Sequence, residues 1–104
     1  MQKQSNWKVL NSNVALNTTR DSVEFELIVV NDNQALDWKN EQYLGKLKQG
    51  KFFSKNERVY TFFLLTEMYA FKMEPDGDCY LSLKKGNPPS GSPTIIPIVI
   101  SYKL

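Results

Sequence analysis

The sequence predicts an all-β, mainly antiparallel fold, a small sandwich or barrel of about five to eight strands. Several segments alternate apolar and polar residues with a period of two, and turn-forming residues separate them. The length of 104 residues fits one β domain over residues 1–104, with a core large enough to need no disulfide or metal. No internal repeat and no linker divides the chain.

The first strong strand is SVEFELIVVND, residues 22–32. Val23, Phe25 and Leu27 alternate with two glutamates, so we expect these three side chains to face a core. The residues NDNQ that follow are typical of a turn and end the strand.

Residues 35–49 allow two interpretations, a short helix or an irregular segment, with a strand after either. Gly45 interrupts the helical pattern, and the residues after it alternate as a strand does. We expect at most one short helix, near residues 35–44. Four apolar residues carry the helical spacing: Leu36, Tyr43, Leu44 and Leu47.

Two later segments predict strands. RVYTFFLLT, residues 58–66, is rich in β-branched, aromatic and apolar residues. Residues 68–85 predict a β-hairpin, because two alternating runs flank the turn sequence PDGD. On the hairpin we expect Tyr80 to point outwards. The residues expected to point inwards are Tyr69, Phe71, Met73, Cys79, Leu81 and Leu83.

The chain ends in TIIPIVISYKL, which is apolar on both faces as far as Val99. A strand of this kind needs cover on both faces, and Pro97 restricts it to an edge, a bulge or a strand start. One arrangement is a strand that crosses the edge of a sandwich with a kink at Pro97. The other is an open edge that a partner chain completes.

The residue types argue against catalysis and cofactor binding. Histidine is absent and Cys79 is the only cysteine, so the common nucleophile–base pairs and thiolate metal sites cannot form. Asp76 and Asp78 could join Asp32 and Asp37 around Ca²⁺, but turn formation explains all four. We therefore expect no enzyme, no cofactor and no metal.

One unpaired cysteine, no signal peptide and no apolar run of membrane-spanning length favour a soluble cytoplasmic protein. The first functional interpretation is a non-catalytic interaction domain. It would bind a protein partner, or copies of itself, through a sheet edge near Pro97 and an aromatic surface. The candidate partner-binding residues are Trp38, Tyr43, Trp7, Val99 and Tyr102.

Two alternatives remain open. A carbohydrate-binding sandwich would use Trp7 or Trp38 as a platform for a sugar ring. Single-stranded nucleic acid could bind a lysine-rich stretch with interleaved aromatics, residues 45–58, although eleven lysines against two arginines disfavour base reading. The polyanion-binding candidates are Lys46, Lys48, Lys51, Phe52, Lys55 and Arg58.

Overall fold

The computed structural model describes residues 5–19, 21–32, 38, 40–46, 56–88 and 93–103, without the side chains of 11–17. These residues form strands and turns, and no helix occurs among them. The seven strands are β1 (Lys8–Asn17), β2 (Ser22–Asn31), β3 (Gln42–Lys46), β4 (Arg58–Leu64), β5 (Glu67–Met73), β6 (Asp78–Lys85) and β7 (Thr94–Lys103).

The strands form two antiparallel sheets, which confirms the predicted all-β fold class. The three-stranded sheet has the order β1-β2-β7, and the four-stranded sheet has the order β3-β6-β5-β4. Strands that alternate in polarity bury one face and leave the other exposed, so each sheet needs an apolar partner layer.

The three-stranded sheet is organised around β2, which pairs with a neighbour on each side. Its residues Val23, Phe25 and Leu27 are buried, as the alternation predicted. The β2–β7 register runs without a shift from the pair Ser22–Lys103 to the pair Asn31–Thr94.

The two sheets pack face to face around one core. Phe25 of the three-stranded sheet contacts Phe71 of the four-stranded sheet, with ring centroids 5.7 Å apart. Tyr60 on β4 and Tyr102 on β7 meet at the same separation of 5.7 Å. The strands β2 and β7 therefore lie over β5 and β4, and both sheets contribute buried residues to one apolar cluster.

The predicted hairpin of residues 68–85 is confirmed as the pair β5–β6. Its turn carries Gly77 at a φ of 97°, a conformation that glycine adopts without a steric penalty. Tyr80 faces outwards as predicted, yet it is only 8% exposed. The Lys72 ammonium lies 4.4 Å from the centroid of its ring, and Tyr43 packs beside it.

The ambiguous segment contains the strand β3, and Tyr43 and Leu44 belong to it. The register against β6 shifts between Tyr43 and Gly45, where Gly45 has a φ of 118°. This is a bulge that depends on glycine, and it explains why the helical spacing breaks there. Leu36 and Leu47 lie outside the described residues.

The strand predicted over residues 58–66 is shorter than expected. It ends at Leu64, and Leu65 and Thr66 form the turn into β5. Leu65 has a φ of 57°, which is uncommon for a residue other than glycine. The apolar run continued through the turn, so sequence pattern alone did not reveal the reversal.

The last strand lies at the edge of the described three-stranded sheet, one of the positions that Pro97 allowed, and it pairs with β2 in one unshifted register, so the predicted crossing of the sandwich edge is wrong. Residues on its inner face, such as Ile96 and Ile98, are fully buried. On its outer face Ile95 is 55% exposed and Val99 is 72% exposed, and no described element covers them. The prediction of cover on both faces therefore fails within the described residues.

The two phenylalanines Phe71 and Phe63 test this arrangement, because Phe71 is fully buried and Phe63 is 69% exposed. We expect Phe71→Ala to lower the free energy of unfolding by about 3–5 kcal/mol, through lost burial and a residual cavity. Phe63→Ala should change it by no more than about 0.5 kcal/mol. Urea denaturation followed by fluorescence measures both, and equal losses would contradict the assignment of inner and outer faces.

Candidate functional site

The strongest candidate site is an apolar surface on the outer face of the three-stranded sheet. The period of two along β7 places Ile95, Pro97 and Val99 side by side on this face, and all three are exposed. Ile28 of β2 lies directly opposite Pro97 and is half-buried. We call these four residues the outer apolar patch.

Charged residues border the patch on more than one side, since Lys8 pairs with Val30, the cross-strand neighbour of Ile95. Glu26 pairs in register with Val99, and Lys103 pairs with Ser22 near the end of the sheet. Among the described residues, β7 carries no charge before Lys103. Large contiguous apolar surfaces usually mark sites of association, whereas single exposed apolar side chains are common on monomers.

Pro97 determines how a partner could approach β7. Proline has no N–H to donate, so it fits a strand only where its nitrogen points away from the neighbouring strand. The unshifted β2–β7 register therefore requires the Pro97 nitrogen to face the open edge. A proline at that position hinders the addition of another strand. The face of β7 is thus more accessible to a partner than its edge.

The structure separates the predicted partner-binding residues. Val99 is exposed, whereas Trp7 and Tyr102 are 6% and 5% exposed and lie in the core. Trp38 is half-buried and packs edge-on against Trp7 and against Tyr69. Buried side chains present no surface to a ligand, so only Val99 of these residues belongs to the outer apolar patch.

Tyr43, the fifth predicted partner-binding residue, lies on the outer face of the other sheet. Its hydroxyl donates a hydrogen bond of 2.7 Å to Asp78. Beside it, Lys72 donates a hydrogen bond of 2.9 Å to Glu41 and lies over the ring of Tyr80. The sequence could not predict the Lys72–Glu41 contact, because the two residues are far apart along the chain. These contacts occupy the polar groups of this face and fix its surface.

The predicted polyanion site is only partly described. Lys46 lies 3.6 Å from a carboxylate oxygen of Asp76, and Arg58 lies against the ring of Tyr102. Both cations therefore already have contacts within the fold. Lys48, Lys51, Phe52 and Lys55 lie outside the described residues.

An acidic cluster occupies the turn between β5 and β6. Possible ligand atoms of Glu74, Asp76 and Asp78 lie within 4.8 Å of one another. The backbone N–H of Asp78 donates to Asp76, and this bond holds the pKa of Asp76 below its usual value. Asp78 accepts the hydroxyl of Tyr43, so turn formation and pairing use these carboxylates.

The described acidic residues that could have joined around Ca²⁺ lie at opposite ends of the sandwich. Asp32 follows β2, near the turn between β4 and β5, whereas Asp76 and Asp78 lie beside the turn between β5 and β6. Asp37 lies outside the described residues. The described acids therefore do not lie close enough to form the joint Ca²⁺ site that the sequence allowed.

Cys79 is fully buried beside the acidic turn. Burial raises the pKa of its thiol to about 12, and the neighbouring carboxylates raise it further in the same direction. Because the thiolate is the reactive form, this cysteine is inert near neutral pH.

Comparisons of the chain with known protein families, with curated proteins and with solved structures gave no match. No helix in the described part of the chain is long and apolar enough to cross a membrane.

Three raised pKa values predict how stability depends on pH. The hydrogen bond to Asp78 raises the pKa of Tyr43 to about 12, and burial raises the pKa of Cys79 and of Tyr102 to about 12. At a pH between the unfolded-state pKa values of 9.0 to 10.0 and these folded-state pKa values, the folded state binds more protons than the unfolded state does. Their stabilisation is therefore complete below about pH 9 and falls as the pH rises towards 12.

Urea midpoints measured from pH 7 to pH 11 test this dependence. We expect a constant midpoint up to about pH 9 and a steady decrease above it. Tyr43→Phe removes one of the three groups and should make the decrease shallower. A wild-type midpoint that is unchanged at pH 11 would contradict the account.

Proposed function

We propose that the chain is a non-catalytic interaction domain that binds a second polypeptide, either a protein partner or another copy of itself. The outer apolar patch is its binding surface. The observation that supports this proposal is the exposure of Ile95 and Val99, 55% and 72%, on the same face of one strand with the exposed Pro97 between them. Complete burial of an exposed aliphatic side chain of this size contributes about 1.5–3 kcal/mol, and covering the exposed parts of these two would contribute a fraction of that for each.

The centres of the two outer faces differ in their polar contacts. On the four-stranded sheet, Lys72 bonds to Glu41 and covers Tyr80, while Tyr43 bonds to Asp78. These polar groups pair within the fold, while Val59 and Phe63 on β4 of the same sheet remain 54% and 69% exposed. The outer face of β7 offers aliphatic side chains with no such contacts among the described residues, and association would bury them.

The partner is expected to cover the face of β7 rather than extend its edge. Pro97 withholds a donor in the middle of the open edge, which limits a continuous ladder of hydrogen bonds. A largely aliphatic surface of this shape fits an apolar side-chain layer, such as another sheet face or an amphipathic helix. The buried thiol of Cys79 and the absence of histidine agree with a role in binding rather than catalysis.

Val99→Lys tests the proposal without disturbing the fold. Val99 is exposed and pairs in register with the exposed Glu26, so a lysine there gains an opposite charge across the strands. We expect the variant to keep the wild-type unfolding midpoint and to lose association. Sedimentation velocity measures self-association, and quantitative co-purification measures a heterologous partner.

Thr61→Lys provides the matched control. Thr61 is exposed on β4, which is the edge strand of the other sheet. It adds the same charge at a comparable position, and it should leave association unchanged. The proposal fails if Val99→Lys associates as the wild type does, or if Thr61→Lys weakens association equally.

A further inference from the structure

A pocket of about 250 Å³ lies at the end of the sandwich where the β4–β5 turn meets the start of β7. This volume is below the roughly 300–1,000 Å³ of pockets for drug-sized ligands, so it suits a single side chain. The residues that matter to its chemistry are Leu64, Leu65, Glu67, Tyr69, Ile95 and Ile96.

The walls of this end pocket are mainly aliphatic, and Glu67 is the one charged side chain among its described lining residues. Glu67 is half-buried, and no described cation lies within ion-pair distance of its carboxylate. Tyr69 is 1% exposed, and both its burial and the nearby Glu67 raise its pKa. The pocket thus combines an apolar interior with a negative group that lacks a counter-charge among the described residues.

Leu65 supplies an independent reason to assign a function to this end. It is 92% exposed, and its φ of 57° is a conformation that costs about 1–2 kcal/mol for a residue with a side chain. Glycine or asparagine at this turn would avoid both the strain and the exposed aliphatic group. Backbone strain of this kind concentrates at functional sites, and here the strained residue forms a wall of the pocket.

The end pocket is continuous with the outer apolar patch. Ile95 belongs to both, since it lines the pocket and is exposed on the outer face of β7. A polypeptide that covers the patch therefore passes the mouth of the pocket. Buried anchors in pockets at an interface supply most of the binding energy, while the surrounding contacts mainly exclude water.

We propose that the end pocket binds an apolar side chain that carries or adjoins a cationic group, supplied by the polypeptide that covers the outer apolar patch. The inference rests on the proposed function for the identity of the partner. The aliphatic walls of the end pocket contact the apolar part of the bound side chain. The Glu67 carboxylate attracts its cationic group and disfavours a neutral or anionic group in that place. The chemical class is that of a hydrophobic ammonium, which a small probe reproduces.

The experiment is a titration of the ¹⁵N-labelled protein followed by two-dimensional NMR. The probes are n-hexylammonium, 1-hexanol and hexanoate, which share one alkyl chain and differ in charge. We expect saturable shifts confined to Leu65, Glu67, Ile95 and their neighbours. Hexylammonium should bind about 1.4-fold to fivefold more tightly than hexanol, the range that exposed ion pairs contribute, and hexanoate should bind more weakly than either.

Glu67→Gln should abolish the preference for hexylammonium over hexanol while hexanol still binds. Retained hexanol binding shows that the variant is folded. Glu26→Gln is the matched control, because Glu26 is an exposed carboxylate on the outer face of β2 and does not line the pocket. It should leave the preference intact. Absent or delocalised shifts overturn the inference, as does equal binding of the three probes.

Val99→Lys separates this inference from the proposed function, because Val99 does not line the pocket. The variant should lose association and still bind hexylammonium as the wild type does. If Val99→Lys still associates and still binds the probe, only the proposed role of the outer apolar patch is refuted. If Val99→Lys abolishes association but the wild-type protein binds no probe at the end pocket, only the proposed role of the end pocket is refuted.

Discussion

The antiparallel pairing of β2 with β7 is the constraint on which the rest of the structure depends. Its register is continuous over ten residue pairs, and the side-chain period of a strand is two. Together these place Phe25, Leu27, Ile96 and Ile98 on one face, where they meet the four-stranded sheet. A shift of one residue would turn this whole set to solvent, so the core fixes the register.

The same register forces the outer residues of β7 outwards. Because β7 is an edge strand, its open edge and its outer face could both attract other chains. Pro97 limits the edge, whereas no comparable feature in the described part of the chain protects the face at Ile95 and Val99. The open edge of β7 thus carries a proline that hinders strand addition, while its outer face is apolar. This arrangement favours binding of a specific partner over uncontrolled strand addition.

Much of the fold follows from sequence, because alternation and turn chemistry are local. The hairpin of residues 68–85 combines both signals and appears in the structure as β5–β6. The turn at Leu65 and Thr66 lacks any turn-forming residue, so tertiary context imposes it. The side chain of Lys72 lies over the ring of Tyr80 and helps to bury it. Lys72 reaches this position because β5 pairs with β6, which the alternation of Tyr80's own strand does not reveal.

The candidate site was less predictable than the fold. The alternation of TIIPIVISYKL divides the residues into two faces, but it does not say which faces are covered. Val99 was identified because its strand is apolar on both faces. Trp7 and Tyr102 were selected as aromatic residues and lie in the core, since aromatic character alone does not distinguish a core residue from an interface residue. The end pocket joins β4, β5 and β7, and no local pattern encodes that junction.

The most direct test of the central claim is site-specific photo-cross-linking in cells that express the protein. A photoreactive amino acid replaces Val99 on the outer apolar patch, and in a second variant it replaces Thr61 on the opposite sheet. The account predicts one discrete cross-linked polypeptide from position 99 and none above background from position 61. Equal products from both positions, or no product from position 99, would contradict the claim that the outer face of β7 is an interaction surface.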